Sequence, residues 1–157
     1  MKQIQSKPPK RSRKSRARKT ATPATPGGKV SWGASREEIL QLARQGVSKQ
    51  KVGTVMTQTQ SSVEELATVL GVTVRTARNY RAQEDLLSPQ QAEALLKYQK
   101  LVQRGETVFG SVEIFKRWLH KPAFGLDGDK PFDLLITSEG LNLVSDEVER
   151  IANGEFA

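Results

Sequence analysis

Four polar side chains in the segment VEELATVLGVTVRTARNYRA, Val63 to Ala82, carry the most specific chemistry in this chain: Arg75, Arg78, Asn79 and Arg81. An Arg guanidinium can take guanine O6 and N7 together, and an Asn amide can pair with adenine N6 and N7. Arg75 and Asn79 are four apart, so on a helix they share a face. A helix lying in the major groove would hold both near base edges, with Thr73 and Val74 at its leading end. Double-stranded DNA is therefore the first partner to consider.

The surrounding pattern predicts the scaffold such a helix needs. Val63, Leu66, Ala67 and Leu70 recur at i, i+3, i+4 and i+7, one buried face of a short helix. Gly71 stops it, because a residue without Cβ suits the left-handed conformation after a helix end. Val72 anchors the turn and Thr73 caps a second helix from Val74, burying Val74, Ala77 and Tyr80. Small Ala67 and Ala77 let the two helices cross closely. An ordinary αα-hairpin with a solvated Arg face is the alternative reading of the same pattern.

Charge is unevenly distributed. Of 25 Lys and Arg and 17 Asp and Glu, ten basic residues and no acids fall in residues 1–29, leaving 15 basic against 17 acidic in the rest, net −2. Residues 1–30 have almost no apolar side chains to offset ordering entropy, so a disordered basic arm is expected. Lys10, Arg11, Arg13, Lys14, Arg16, Arg18 and Lys19 are its candidate phosphate contacts, binding in a salt-dependent and sequence-independent way. A solubility tail, a nuclear import signal and a transit peptide are competing readings, the last weakened by the lack of an amphipathic stripe.

The remainder reads as helices without a convincing strand, an all-α chain. Ser35 caps Arg36 to Gln45, and Ser48 caps Lys49 to Gln58, with Ile39, Leu42, Val47, Val52, Val55 and Met56 as core candidates. Trp32 reads as a packing lid. Ser88-Pro89-Gln90-Gln91 starts a long helix whose stripe of Ala92, Leu95, Leu96, Leu101 and Val102 precedes Gly105. The expected organisation is an arm over 1–30, a DNA-binding and dimerising domain over 31–87, and a second helical domain over 88–157.

Several classes are excluded or disfavoured. The absence of Cys removes disulfides and thiolate metal sites, and the lone His120 cannot form a histidine cluster, so no metal or cofactor is expected. His120 lacks a nucleophile or orienting acid in sequence, and Asp127-Gly128-Asp129 lacks the downstream Glu of a calcium loop. That loop reads instead as a turn capping the helix at Pro131. No Gly-rich phosphate cradle or paired-carboxylate motif is present, which argues against an enzyme. No apolar run approaches the roughly 20 residues that span a bilayer, so a cytoplasmic protein without a membrane partner is expected.

Beyond Gly105, VFGSVEIFKRWLHKP, GDKPFDLLITSEG and VERIANG follow in order. With Phe109-Gly110, Trp118-Leu119, Pro122, Leu126, Gly128, Pro131, Leu134-Leu135, Thr137, Gly140, Val144, Ile151 and Gly154, this region resembles the C-terminal part of the Xre/MbcA/ParS antitoxin family. The upstream helices extend the resemblance over Ser35 to Gly154. It implies an all-helical, usually dimeric antitoxin that binds a toxin acting on NAD, or using it for ADP-ribosyl transfer, and often of RES type. It also implies repression of the antitoxin's own operon, and a C-terminal region that covers the toxin's cleft. The basic arm departs from the family pattern, so its role rests on charge alone.

Residues 88–157 hold eight basic and eleven acidic groups, with Glu139, Asp146, Glu147, Glu149 and Glu155 bunched around Arg150. An acidic end complements a cationic NAD cleft; a solvated helix face accounts for it equally well. Leu141, Val144, Val148 and Ile151 keep helical spacing and read as core. Glu147, Arg150, Gly154, Glu155 and Phe156 are the candidate toxin contacts, Phe156 being either a buried anchor or a loose end. A free-standing repressor without a toxin partner, or a nucleoid-type structural protein built on the arm, are the alternatives.

Overall fold

Side chains that bind their own helix termini set most of the element boundaries. In a computed structural model of the chain, residues 34–155 are described. The arm, Trp32 and Phe156 lie outside them. Helix α1, Arg36–Gln45, begins with a capping box: Ser35 Oγ accepts from the Glu38 N–H, and the Glu38 carboxylate accepts from the Ser35 N–H. The same device starts α3, Val63–Leu70, at Ser62 and Glu65, and α5, Pro89–Phe109, at Ser88 and Gln91. Pro89 at the first position of α5 sacrifices no hydrogen bond, since that N–H would have no intrahelical acceptor.

Helices α2, Lys51–Gln58, and α4, Val74–Asn79, complete the first half, with a 3₁₀ turn, Tyr80–Ala82, extending α4. After α5 come α6, Val112–Leu119, a 3₁₀ turn, Phe124–Leu126, then α7, Pro131–Leu134, and α8, Ser138–Ala152. Among the described residues there is no named strand, only one antiparallel bridge between Ser48 and Leu86. The all-α class holds. Among the same residues no helix is long and apolar enough to cross a membrane.

Helix α5 is the axis of the molecule. Its Ala92, Leu95, Leu96, Tyr98, Leu101 and Val102 are buried, and it packs against α1, α3, α6 and α8. One continuous apolar cluster runs from Ile39, Val55 and Leu66 through α5 to Phe115, Leu119, Val144 and Val148. Fully burying a side chain such as Leu66 or Leu95 contributes about 1.5–3 kcal/mol. The junction expected near Leu87 and Ser88 carries the α5 cap, and α5 contacts helices that precede and follow it in sequence. Of the other core candidates, Val47 and Val52 are buried, whereas Leu42 and Met56 are partly buried against the cluster.

Two local expectations are corrected. Helix α2 starts at Lys51 rather than Lys49, because Lys49 N–H donates to the Asp85 carbonyl (2.9 Å) and Leu87 N–H to the Val47 carbonyl (2.8 Å), pairing this stretch with residues 85–87 before the helix begins. Ser48 Oγ accepts from Gln50 instead of capping the helix. Helix α5 runs through Gly105 to Phe109, with Gly110 in the left-handed region at φ +88°. Asp127-Gly128-Asp129 is a turn, but neither carboxylate caps α7, which follows Lys130 without a side-chain cap.

Candidate nucleic-acid interface and C-terminal surface

Helices α3 and α4 build the motif expected from the sequence. Leu66, Ala67, Val69 and Leu70 are buried on α3. Gly71 has φ +65°, its N–H donates to the Thr68 carbonyl, and Val72 N–H reaches the Ala67 carbonyl (3.0 Å). A Cβ at Gly71 would meet nothing, so its requirement is conformational. Thr73 Oγ1 accepts from the Thr76 N–H (3.1 Å) and caps α4. Ala77 and Tyr80 turn inward, Val74 is half-buried, and Arg75, Arg78, Asn79 and Arg81 are exposed.

The fold gives these four side chains different freedom. Arg78 Nη2 lies 3.4 Å from Glu64 Oε1 on α3. Arg81 lays its stem across Gly53 of α2, where a Cβ would come within 3.3 Å of Arg81 Cγ, and its Nη2 reaches Met56 Sδ at 3.0 Å. Arg75 and Asn79 have no such tether among the described residues. Thr73 presents an exposed hydroxyl beside them, hydrogen-bonded to Thr76 Oγ1 (2.8 Å).

A buried polar seam fixes α3 in place. Tyr98 on α5 shares a 2.8 Å hydrogen bond with Ser61, just before the α3 cap, and burial pushes the Tyr98 hydroxyl pKa well up. Glu65 accepts from the Ser62 N–H (2.8 Å) and from Lys116 Nζ on α6 (2.8 Å), while His120 Nε2 lies at 3.6 Å. Burial pushes the Glu65 carboxyl up, but Lys116, the Ser62 N–H and His120 together outweigh it and hold it below its usual range. Lys116 also donates to the Gln60 carbonyl, and His120 packs on Phe132. Sequence reading missed this cluster. Glu65 and Lys116 lie 51 residues apart, and no local pattern announces such a contact.

At the C-terminal end, Thr137 caps α8, and Leu141, Val144 and Val148 are buried while Ile151 is half-buried. The acidic residues are largely paired within the fold. Asp146 meets Arg36 (2.8 Å), Glu149 takes both Arg104 Nε and Nη2 (2.8 Å each), and Glu147 takes Arg150 Nε and Nη2 (2.8 and 2.7 Å). Arg104 holds the Glu149 carboxyl below its usual pKa. Glu147 departs from the reading of it as a surface acid: it is only 6% exposed. Its carboxylate abuts Gly125, where a Cβ would lie 2.3 Å from both oxygens. Arg150 also donates to the Glu155 carbonyl, and Gly154, at φ +74°, lets the chain turn back toward it. Glu147 thus supports the terminal turn through Arg150, while Gly154 and Glu155 are exposed.

Fold and site together define an all-helical protein in which a helix-turn-helix and a C-terminal helical cluster share one core. A family model described as an antitoxin Xre-like helix-turn-helix domain matches residues 32–100, and one described as the antitoxin Xre/MbcA/ParS C-terminal toxin-binding domain matches residues 104–154. The chain is also 28% identical over 152 residues to a Prs ADP-ribosylating antitoxin of Sphingobium sp. (strain YBL2), covering 90% of this chain and 96% of that protein. The chain belongs to the Xre/MbcA/ParS antitoxin family, and it is an antitoxin of a toxin-antitoxin system.

Proposed function

We propose that this antitoxin neutralises an NAD-acting, RES-type toxin by covering its active site, and that it represses its own operon by binding operator DNA as a homodimer in the cytoplasm. Its work is binding rather than catalysis. In this reading Arg75 and Asn79 read base edges, Thr73, Val74, Arg78 and Arg81 position α4 on the duplex, and the arm from Lys10 to Lys19 follows phosphates. The division of labour falls between residues 31–87 and 88–157. NAD chemistry is supported by the relative's name, since ADP-ribosylation takes its ADP-ribose from NAD.

The observation that carries the neutralising role is the terminal turn. Arg150 ties Glu155 back at the end of the region matched by the toxin-binding family model, leaving Gly154 and Glu155 exposed. Truncation after Ile151 removes that turn and leaves the core residues in place. NAD consumption by a purified RES-type cognate toxin, titrated with full-length and truncated chain, tests the proposal. The shortened chain folds and binds operator, yet inhibits poorly. Equal inhibition by both would move the blocking surface away from the terminus.

A further inference from the structure

The short 3₁₀ turn between α6 and α7 displays Phe124, which at 82% exposure is the most exposed large apolar side chain among the described residues. A lone exposed apolar side chain ordinarily needs no explanation. Here the backbone beneath the ring is tightly built. Leu126 N–H and Gly128 N–H both donate to the Ala123 carbonyl (3.1 Å each), Ala123 N–H donates to the Asp129 carbonyl (3.0 Å), and Ala123 is buried. The next residue, Gly125, presses directly on the buried Glu147 carboxylate, an approach no side chain would permit. Glu147 is closed by Arg150, and the same guanidinium holds the Glu155 carbonyl. The Phe124 turn and the C-terminal turn are therefore two ends of one connected polar unit.

We infer that Phe124 is a rigid aromatic anchor for the toxin, entering an apolar pocket next to the surface that receives the C-terminal turn. The inference rests on the toxin-binding role proposed above and adds a second contact to it. Continuity identifies the occupant: Phe124 lies within residues 104–154, which match the toxin-binding family model, and is joined through Glu147 and Arg150 to the terminal turn. Its setting suits a protein pocket. A single ring on a pre-ordered backbone loses little freedom on binding, and the polar Lys121, Asp127 and Asp129 around it can form a rim.

Binding of a purified RES-type cognate toxin to the full-length chain is measured by calorimetric titration. Phe124→Ala lowers affinity by at least about 30-fold, while thermal midpoint and operator binding match wild type. Phe124→Trp and the control Leu40→Ala on α1 remain within about threefold. Wild-type affinity in Phe124→Ala would overturn the inference. So would conversion of a dimer to a monomer in that variant by sedimentation, which would assign the ring to a second copy of this chain. Failure of the wild-type chain to bind the toxic protein would instead remove the proposed function itself, and the wild-type titration separates the two failures.

Discussion

Arg75 and Arg78 lie three residues apart on α4, yet only Arg78 is tethered by Glu64, at 3.4 Å. An exposed ion pair of that kind is worth at most about 1 kcal/mol, so it orders Arg78 more than it stabilises the fold. Arg75→Ala and Asn79→Ala should each cost about 1–3 kcal/mol on the operator and little on random DNA. Arg78→Ala should weaken both by similar, smaller amounts, as a phosphate contact would. Competition footprinting separates the cases; an operator-to-random ratio unchanged by Arg75→Ala would reassign the reading side chain. Glu65 gives a prediction of a different kind. Its carboxylate caps α3 and receives Lys116, and its pKa is lowered in the fold from a starting value of 4.5. A carboxyl whose folded pKa is depressed adds stability above its unfolded pKa, and loses it as pH falls through the folded value. Glu65→Gln should therefore cost about 1–3 kcal/mol at neutral pH, and the gap to wild type should begin to close as pH drops below 4.5 and vanish below the lowered value. Denaturant melts of both proteins across that range are decisive, and a gap independent of pH would show that the charge contributes nothing.

Helix α5 illustrates how an element can be legible at its ends and opaque in its middle. Gly105 sits inside α5, and its missing Cβ leaves room for the Phe115 ring of α6: a Cβ there would lie 2.4 Å from the ring. By helix propensity alone Gly105→Ala would gain about 1 kcal/mol. The collision opposes this, and overpacking a buried site costs about 1–3 kcal/mol. The ring cannot retreat easily, since it is fully buried and packs against Phe109 and Trp118, with centroids 5.5 and 5.8 Å away. Gly105→Ala should thus lower the thermal midpoint, and a rise would show that Phe115 has room to move. The same contrast explains what the sequence could and could not disclose. Ser35, Ser88, Thr73 and Gly71 act on backbone within a few residues, so their roles are written locally, and the exposed face of α4 follows from periodicity. The tethers of Arg78 and Arg81, the burial of Glu147 against Gly125, and the Lys116–Glu65 contact depend on elements brought together by the core. No spacing rule reaches that far. The ion pairs of the acidic cluster were out of reach for the same reason, since Arg36 and Arg104, which neutralise two of its members, belong to distant helices.

At the scale of the whole chain, charge and core are divided along different lines. The core is continuous across both halves, and Lys116 on α6 holds Glu65 at the start of α3, so the helix-turn-helix and the toxin-binding region are mechanically one body. The cationic charge is segregated instead: residues 1–29 hold ten basic groups and no acids, while the rest of the chain is net negative by two. A body of that sign gains little from long-range attraction to DNA, so in the proposed reading the arm supplies most of the sequence-independent affinity. Deleting residues 1–29 should therefore leave the fold and toxin neutralisation intact, because none of the described core residues is removed. It should weaken operator and random DNA binding together, in contrast to the selective loss from Arg75→Ala. The dependence of log affinity on log salt should become shallower by about 0.9 for each phosphate that the arm no longer neutralises. Titrations of full-length and shortened protein at several salt concentrations measure both quantities. An unchanged slope would mean that the arm does not touch phosphate and that the Arg face of α4 accounts for the whole electrostatic contribution.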